Sequence, residues 1–295
     1  MLEGLVWTIS TAVLFAALDA LRKQLSSKYA VSQLALILCL GQIPLFWLWG
    51  TVDNSFYFSS FEYFAVYALS VAVNIVALAS FVRSVSLSPL SETVPLLCLS
   101  PVFSSLLGLA IGEQTGALGW LGILLILIGS WLIPKSPLLM QKDKPLLHAY
   151  RGHLFMLLAA LCWGSSILID KICLEFAGHG FHAFAISLGM AVCFVLFKLR
   201  TNVKWTAINL ANLPVLIILI VVATGALGSQ LVAIQSVGVG LVEATKRATS
   251  VFAALMLGVI IFRESASTKK IIASVLFILG VCFTLFSQIS LSQAS

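Results

Sequence analysis

The sequence predicts an all-α polytopic membrane protein, with ten transmembrane helices arranged as two inverted five-helix repeats. Three observations predict it. Hydrophobic residues make up 60% of the 295 positions and charged residues 9%, against about 45–50% and about 25% in an ordinary soluble domain. Such a chain lacks the polar side chains to cover a water-facing surface. Apolar runs long enough to cross a bilayer core about 30 Å thick, roughly 20 residues of helix, recur ten times. The two halves repeat at an offset of 151 residues, and their equivalent loops carry opposite charge bias. The same composition excludes a disordered chain, a nucleic-acid scaffold and a secreted disulfide scaffold.

The spans fall at about 4–21, 31–50, 61–82, 94–112, 117–133, 153–172, 180–198, 213–236, 245–262 and 271–289. The first begins MLEGLVW, without a basic leader region, and reads as an uncleaved helix. The second ends among Trp47 and Trp49, and the fifth holds Trp120 and Trp131; these four read as an interfacial aromatic belt. The fourth holds Pro95 and Pro101, which loosen it. Small-residue pairs such as Gly108–Gly112, Gly119–Gly122 and Gly225–Gly228 let helices approach closely. The stretch 134–152 holds three of the eight prolines and four basic residues and marks the midpoint. The domain reading is a first repeat at 1–133, a cytoplasmic linker at 134–152, a second repeat at 153–289 and a short tail at 290–295. The six cysteines, Cys39, Cys98, Cys162, Cys173, Cys193 and Cys282, lie in apolar stretches without a CxxC pair and read as small buried hydrophobes.

At the offset of 151, Asp19 falls on Asp170, Glu92 on Glu243, Glu113 on Glu264 and Gly129 on Gly280. In a chain with 11 acidic residues, three identical acid matches at one offset mark an internal repeat. Five spans is an odd number, so the second copy enters the membrane the other way round. The loop charges agree. Arg22, Lys23, Lys28 and Arg83 occupy the loops after spans 1 and 3. In the second half, Lys198, Arg200, Lys204, Arg263, Lys269 and Lys270 occupy the loops after spans 7 and 9. With the linker, 14 basic residues fall on one face and Lys171 alone on the other. The positive-inside rule then places both termini outside the cytoplasm.

Two segments carry a family likeness. SETVPLLCLSPVFSSLLGLAIGE at 91–113 and VEATKRATSVFAALMLGVIIFRE at 242–264 are similar to the fourth helix of each repeat in EamA-type members of the drug/metabolite transporter superfamily. Trp163–Gly164 resembles the opening of a family repeat; the first repeat has Trp7–Thr8 there and no glycine. The resemblance covers the whole chain. It implies a secondary transporter with no cofactor, moving amino acids, sugar phosphates, nucleotide sugars, choline or drugs. Many relatives are described with both termini in the cytoplasm, the reverse of what these loop charges indicate.

Charges inside a membrane are costly, so each needs a partner or a role. Lys246 and Arg247 lie just inside the ninth span and, about 100° apart, cannot share one face. In one reading, one of them binds an anionic group while the other pairs with an acid. The adjacent Lys–Arg resembles the phosphate-binding pair of plastid triose-phosphate translocators. In the other reading both pair locally with Glu243 at i−3 and i−4. Asp19 and Asp170 are repeat mates near opposite ends of their helices. Thr8, Thr11, Phe15 and Asp19 share one face, as do Trp163, Ser166 and Asp170; the aspartates either gate two mouths of a cavity or pair with Arg22, Lys23 or Lys171. Asn74, Gln42, Gln230 and Gln235 are polar positions within apolar spans, serving substrate contact or interhelix adhesion. Glu92, Glu113 and Glu264 sit at span ends as charge-pairing anchors.

No catalytic or metal-ligating constellation is expected. His148, His153, His179 and His182 form no metal spacing, and no P-loop or nucleophile–base arrangement is visible. The function expected is alternating-access transport of a small anionic or carboxylate-bearing metabolite, such as an amino acid or organic phosphate, by export or exchange. Lys246, Arg247, Trp163, Asn74, Gln230, Ser166 and Phe15 would shape its site. Asp19, Asp170, Glu243 and Glu92 would gate it or pair its charges. The alternatives are a transporter of cationic or amine compounds and a non-transporting scaffold or sensor. The expected partners are a small-molecule substrate and the bilayer, with proton or counter-substrate coupling, no nucleic acid, and a monomer or homodimer in a bacterial inner membrane.

Overall fold

The structure, a computed structural model, describes residues 2–26, 28–87, 96–132, 146–200, 205–260 and 268–294. Ten α-helices run through them: α1 Leu2–Ser26, α2 Val31–Val52, α3 Glu62–Leu87, α4 Ser100–Ala110, α5 Ala117–Leu132, α6 Leu146–Phe176, α7 His179–Arg200, α8 Leu213–Ser236, α9 Val239–Ile260 and α10 Thr268–Ala294. A short 3-10 turn, Leu210–Asn212, precedes α8. Each helix falls on one of the ten expected spans. By length and composition, six stretches among the described residues can cross a membrane: Glu3–Ser26, Val31–Val52, Glu62–Ser84, Arg151–Phe176, His179–Arg200 and Leu210–Ser236. Ser100–Ala110, Ala117–Leu132 and Ile271–Ser287 are apolar but shorter. α9 differs because its first three turns hold Glu243, Lys246 and Arg247.

Several boundaries differ from the sequence reading. α1 and α3 end at Ser26 and Leu87 rather than 21 and 82, and α9 starts at Val239 rather than 245. α6 begins at Leu146 rather than 153; Pro145 is the last proline of the linker, so nothing in LLHAYRG interrupts a helix. α10 runs to Ala294 and takes in most of the expected tail. α4 begins at Ser100 with Pro101 in its first turn, where the missing N–H costs nothing. Residues 96–97 are helical and 98–99 form a turn, so the span is interrupted just before Pro101 and resumes with it. Glu92, Pro95, Glu264 and positions 134–145 lie outside the described residues.

The first five helices pack chiefly on the last five. α1 lies against α8 and α9, α3 and α4 against α6, α2 against α7, α5 against α10, and α4 against α9. Advancing each label by one repeat turns α1–α8 into α6–α3 and α1–α9 into α6–α4. The α5–α10 contact shows the same exchange at residue level. A Cβ on Gly122 would lie 2.6 Å from the Gly280 carbonyl, and one on Gly129 would lie 3.2 Å from the Ala273 carbonyl. Gly122 and Ala273 are offset mates, as are Gly129 and Gly280. Glycine is required where two helix backbones come this close.

The connections gather at two ends. At one, the α2–α3 and α6–α7 connections are stitched together. The Ser59 N–H donates to the Phe176 carbonyl (2.7 Å), Gly178 to Tyr57 (3.0 Å) and Phe181 to Ser55 (3.1 Å). Phe56, Phe58, Phe61, Phe64 and Phe181 pack ring on ring above them. The other end holds Arg22, Lys28, Arg83, Arg151, Lys198 and Arg200 and is called the basic end below. There Lys28 Nζ donates to Asn212 Oδ1 (2.8 Å), Gln33 Nε2 to the Thr206 carbonyl (2.6 Å) and Ser84 Oγ to the Gly152 carbonyl (2.7 Å).

Two composition-based readings need correction. Trp47 and Trp131 are exposed near helix ends, as a belt requires. Trp49 instead stacks on His179 with centroids 4.7 Å apart, and Trp120 packs on the α5–α10 core. Among the cysteines, Cys98, Cys162 and Cys173 are buried, Cys39 and Cys193 half-buried, and Cys282 exposed. Cys282 therefore lies on the outer side of α10.

Candidate functional site

Glu243, Lys246 and Arg247 stand at i, i+3 and i+4 on α9, the spacing that brings side chains onto neighbouring positions of a helix surface. Glu243 is fully buried. Its Oε1 accepts from Ser100 Oγ of α4 (2.7 Å) and from Arg247 Nη2 (2.9 Å), and its carboxylate pairs with Lys246. Lys246 Nζ also donates to Gln230 Oε1 of α8 (2.9 Å) and sits 4.8 Å above the Phe15 ring of α1. The Arg247 guanidinium lies 5.9 Å from the Trp163 ring centre on α6. Side chains from α1, α4, α6, α8 and α9 thus converge on one carboxylate and two cations.

This centre has two chemical properties. It carries one positive charge in surplus. Arg247 Nε, buried, has no hydrogen-bond partner among the described residues. A buried donor without a partner is costly, and an anion beside it would meet both the charge and the donor. The aromatic faces of Phe15 and Trp163 are already taken by the centre's own cations, each a cation–π contact.

A second polar set lies two turns along α6. Asp170 is buried. Its Oδ1 accepts from Ser70 Oγ of α3 (2.6 Å) and faces His182 Nε2 of α7 at 3.3 Å. His182, fully buried, meets the Tyr63 hydroxyl at 3.0 Å through Nδ1. The next residue, Lys171, turns away and donates to Glu113 Oε1 (2.5 Å). Glu113 Oε2 accepts from the Val239 N–H at the start of α9 (2.9 Å). A carboxylate there satisfies an orphan donor and complements the helix dipole. Glu113 therefore ties Lys171 of α6 to the helix that carries the cations.

The structure brings Lys246, Arg247, Glu243, Gln230, Phe15 and Trp163 into one cluster. Local pairing of both cations with Glu243 is present, and Lys246 and Arg247 also reach different neighbours. Asn74 and Ser166 are not part of it by any hydrogen bond: Asn74 Nδ2 donates to the Ser70 carbonyl (3.0 Å) and Ser166 Oγ to the Trp163 carbonyl (3.1 Å), each within its own helix. Asp19 is half-exposed and pairs with Arg22 at 3.7 Å. Gln235 Nε2 faces His179 Nδ1 at 3.4 Å, and His179 Nε2 meets Asp53 Oδ2 at 2.6 Å. Gln42 is buried on α2.

Sequence reasoning missed Ser100, Ser70, Tyr63 and His182. One signal was available: Asp170 and His182 lie 12 residues apart across a two-residue turn, which places them on facing helices. Ser70 and Tyr63 gave none, since a lone hydroxyl in an apolar span reads as packing. Ser70, Asp170 and His182 do not form a nucleophile arrangement. The carboxylate lies between serine and imidazole, so no base faces the hydroxyl. Among the described residues no cluster of three metal-ligating side chains occurs.

The family model for EamA-like transporters matches residues 150–286. A solved structure, titled only as the crystal structure of a protein, has the same fold: the TM-score is 0.81 over 98% of each chain, at 15% identity. No curated protein matches in sequence.

Proposed function

We propose, from the match of residues 150–286 to the family model for EamA-like transporters, that this multi-pass membrane protein carries a small anionic or carboxylate-bearing metabolite by alternating access. The observation that supports the anion is the surplus positive charge of the α9 centre, together with the partnerless Nε of Arg247. An amino acid or an organic phosphate fits this chemistry. Lys246 and Arg247 would hold the anionic group, Gln230 would orient it, and Phe15 and Trp163 would wall the site. The rival reading, a cation carried on aromatic faces, finds those faces occupied by Lys246 and Arg247.

Inverted repeats rock about a site at their interface. The reciprocal packing of the two halves and the opposite charge bias of their loops favour that layout here. The termini would lie outside the cytoplasm and the basic end within it, with export or exchange as the working direction. In the present conformation the end that joins the α2–α3 and α6–α7 connections is the tightly stitched one. Asp19, toward the basic end, keeps about half its side chain exposed, as in a carrier open on that side.

The test is uptake into proteoliposomes of labelled glutamate, pyruvate and glycerol 3-phosphate, with labelled choline as the cationic control. Wild type should move at least one anion well above empty vesicles and leave choline at background. Lys246→Met should lower that uptake at least tenfold, about 1.4 kcal/mol of lost interaction. Uptake of choline alone, unchanged in Lys246→Met, would overturn the anion assignment.

A further inference from the structure

The Asp170 set has no part in holding the anion, yet it buries an acid, an imidazole and two hydroxyls in one hydrogen-bonded chain. Its bonding pattern is compatible with a single negative charge. Ser70 donates to Asp170. Among the described residues the other group facing that carboxylate is His182 Nε2; with the ring hydrogen there, Nδ1 accepts from the Tyr63 hydroxyl. Every group is satisfied with Asp170 ionised and His182 neutral, a net charge of −1. One added proton, on either member of the pair, makes the set neutral.

Neighbouring charges on the packed elements are paired or exposed. Asp19 of α1, which also acts on Lys246 and Arg247, is exposed and paired with Arg22, and Glu62 of α3 and Glu175 of α6 are exposed. On α3, the Tyr67 hydroxyl donates to the Ala185 carbonyl. On α6, Cys173 is a buried thiol and Lys171 is paired with Glu113. On α7, His179 is paired with Asp53 from the end of α2. α4 and α8 contribute no acidic, basic or imidazole side chain. α9 contributes the Glu243–Lys246–Arg247 centre. Two unbalanced charges thus remain inside the described helices: +1 at the α9 centre and −1 at Asp170. The faces of α6 that carry Trp163 and Asp170 coincide two turns apart, so one helix touches both sites.

We propose that Tyr63, His182, Asp170 and Ser70 form a proton-binding site, and that the carrier moves one proton together with one monoanion. This rests on the anion reading above. The empty carrier holds +1 and −1, and the doubly loaded carrier holds neither. A carrier loaded with the anion alone, or with the proton alone, buries one unbalanced charge, and an unbalanced charge in the membrane interior resists reorientation. Only the empty and doubly loaded forms then turn over freely, which is co-transport. The proton binds from water on one side, is held by the Asp170–His182 pair, and returns to water on the other. No other reactant is required.

The experiment uses the same three labelled anions in proteoliposomes, with the membrane potential clamped and the outside made more acidic by one pH unit. Wild type should accumulate the transported anion up to about tenfold, the limit set by one proton per anion. Asp170→Asn, which mimics the permanently neutral site, leaves the empty carrier with an unbalanced +1, so it should exchange the labelled anion against anion already inside and show neither net uptake nor accumulation. His182→Gln should fall between. Ser70→Ala, which removes one hydrogen bond and no charge, should accumulate it with a shifted pH dependence, and so guards against variants that misfold. If Asp170→Asn accumulates like wild type, or if wild type exchanges anions but ignores the gradient, the proton site is wrong and the transport reading stands. If wild type moves none of the three anions, the transport reading fails. Infrared titration of purified protein then decides proton binding alone: a carboxyl band appearing on acidification should vanish in Asp170→Asn, and its persistence would overturn the assignment.

Discussion

Asp19 and Asp170 stand 151 residues apart, at matching places of the repeat read from the sequence, and live in opposite environments. Asp19 keeps 48% of its side chain exposed and pairs at 3.7 Å with Arg22, one turn along its own helix. Asp170 keeps 8% and bonds to two other helices. The repeat offset explains how. The mate of Arg22 is Cys173, the mate of Ser70 is Val221 and the mate of His182 is Val31. At this offset the carboxylate and its place on the helix match. The local cation is absent beside Asp170, and the hydroxyl and the imidazole occur only there. The α9 centre repeats the lesson: Glu243 matches Glu92, while Lys246 matches Pro95 and Arg247 matches Leu96. The charged groups of both sets thus lie in the second half of the chain, with no chemical counterpart 151 residues earlier beyond the carboxylate itself.

That comparison can be broken most severely at Glu243. Glu243→Ala would leave Lys246 and Arg247 together without their counter-charge at a buried position. Removing one partner of a buried ionic set costs about 3–5 kcal/mol, so this variant should show the largest drop in thermal unfolding temperature in detergent. A melting curve matching wild type would mean the trio is solvated rather than mutually dependent. Asp170→Asn comes next. It weakens charge-assisted bonds to Ser70 and His182, worth about 1.5–3 kcal/mol where a charged group is involved. The same substitution at Asp19 should cost far less. Equal losses at the two positions would show that the repeat mates are energetically alike despite their surroundings.

Glu113→Gln sharpens the comparison at a smaller scale. It keeps an acceptor for the Val239 N–H and removes the ion pair with Lys171. A helix-capping contribution is about 1 kcal/mol. Glu113→Ala should therefore destabilise by roughly that amount beyond Glu113→Gln, read from paired unfolding curves. If the two are equal, Glu113 acts only through Lys171.

Much of this architecture was legible in the sequence. Ten apolar runs became ten helices because, at 60% hydrophobic composition, nothing competes with helix as the way to satisfy the backbone. The α9 centre was half legible. Glu243, Lys246 and Arg247 announce themselves by charge, and Phe15, Trp163 and Gln230 by being aromatic or polar at interior-facing positions. Ser100 could not be found, because a serine in an apolar run carries no mark of what it bonds. Asn74 and Ser166 differ from the cluster in a way the sequence did not mark. Each found an acceptor within its own helix, an outcome helical periodicity does not distinguish from a cross-helix bond. The Asp170 set was hidden because it spans α3, α6 and α7. Sequence spacing reveals partners on one helix, and only packing reveals partners on three.

The smallest effect expected is the most direct test of the opening contrast. An exposed pair at i, i+3 contributes about 0–1 kcal/mol, since both ions remain hydrated and two long side chains must be held in register. Asp19→Asn, Arg22→Gln and the double variant form a cycle that isolates the pair itself. The coupling should fall below about 0.5 kcal/mol, and it should fade further as salt rises from low to physiological strength, because exposed charges are screened. Anion uptake in Asp19→Asn should stay within twofold of wild type. A salt-insensitive coupling well above that bound would mean that Asp19 becomes enclosed during part of the cycle. The exposure seen here would then belong to one conformation of the carrier, with the two aspartates exchanging burial as the repeats rock.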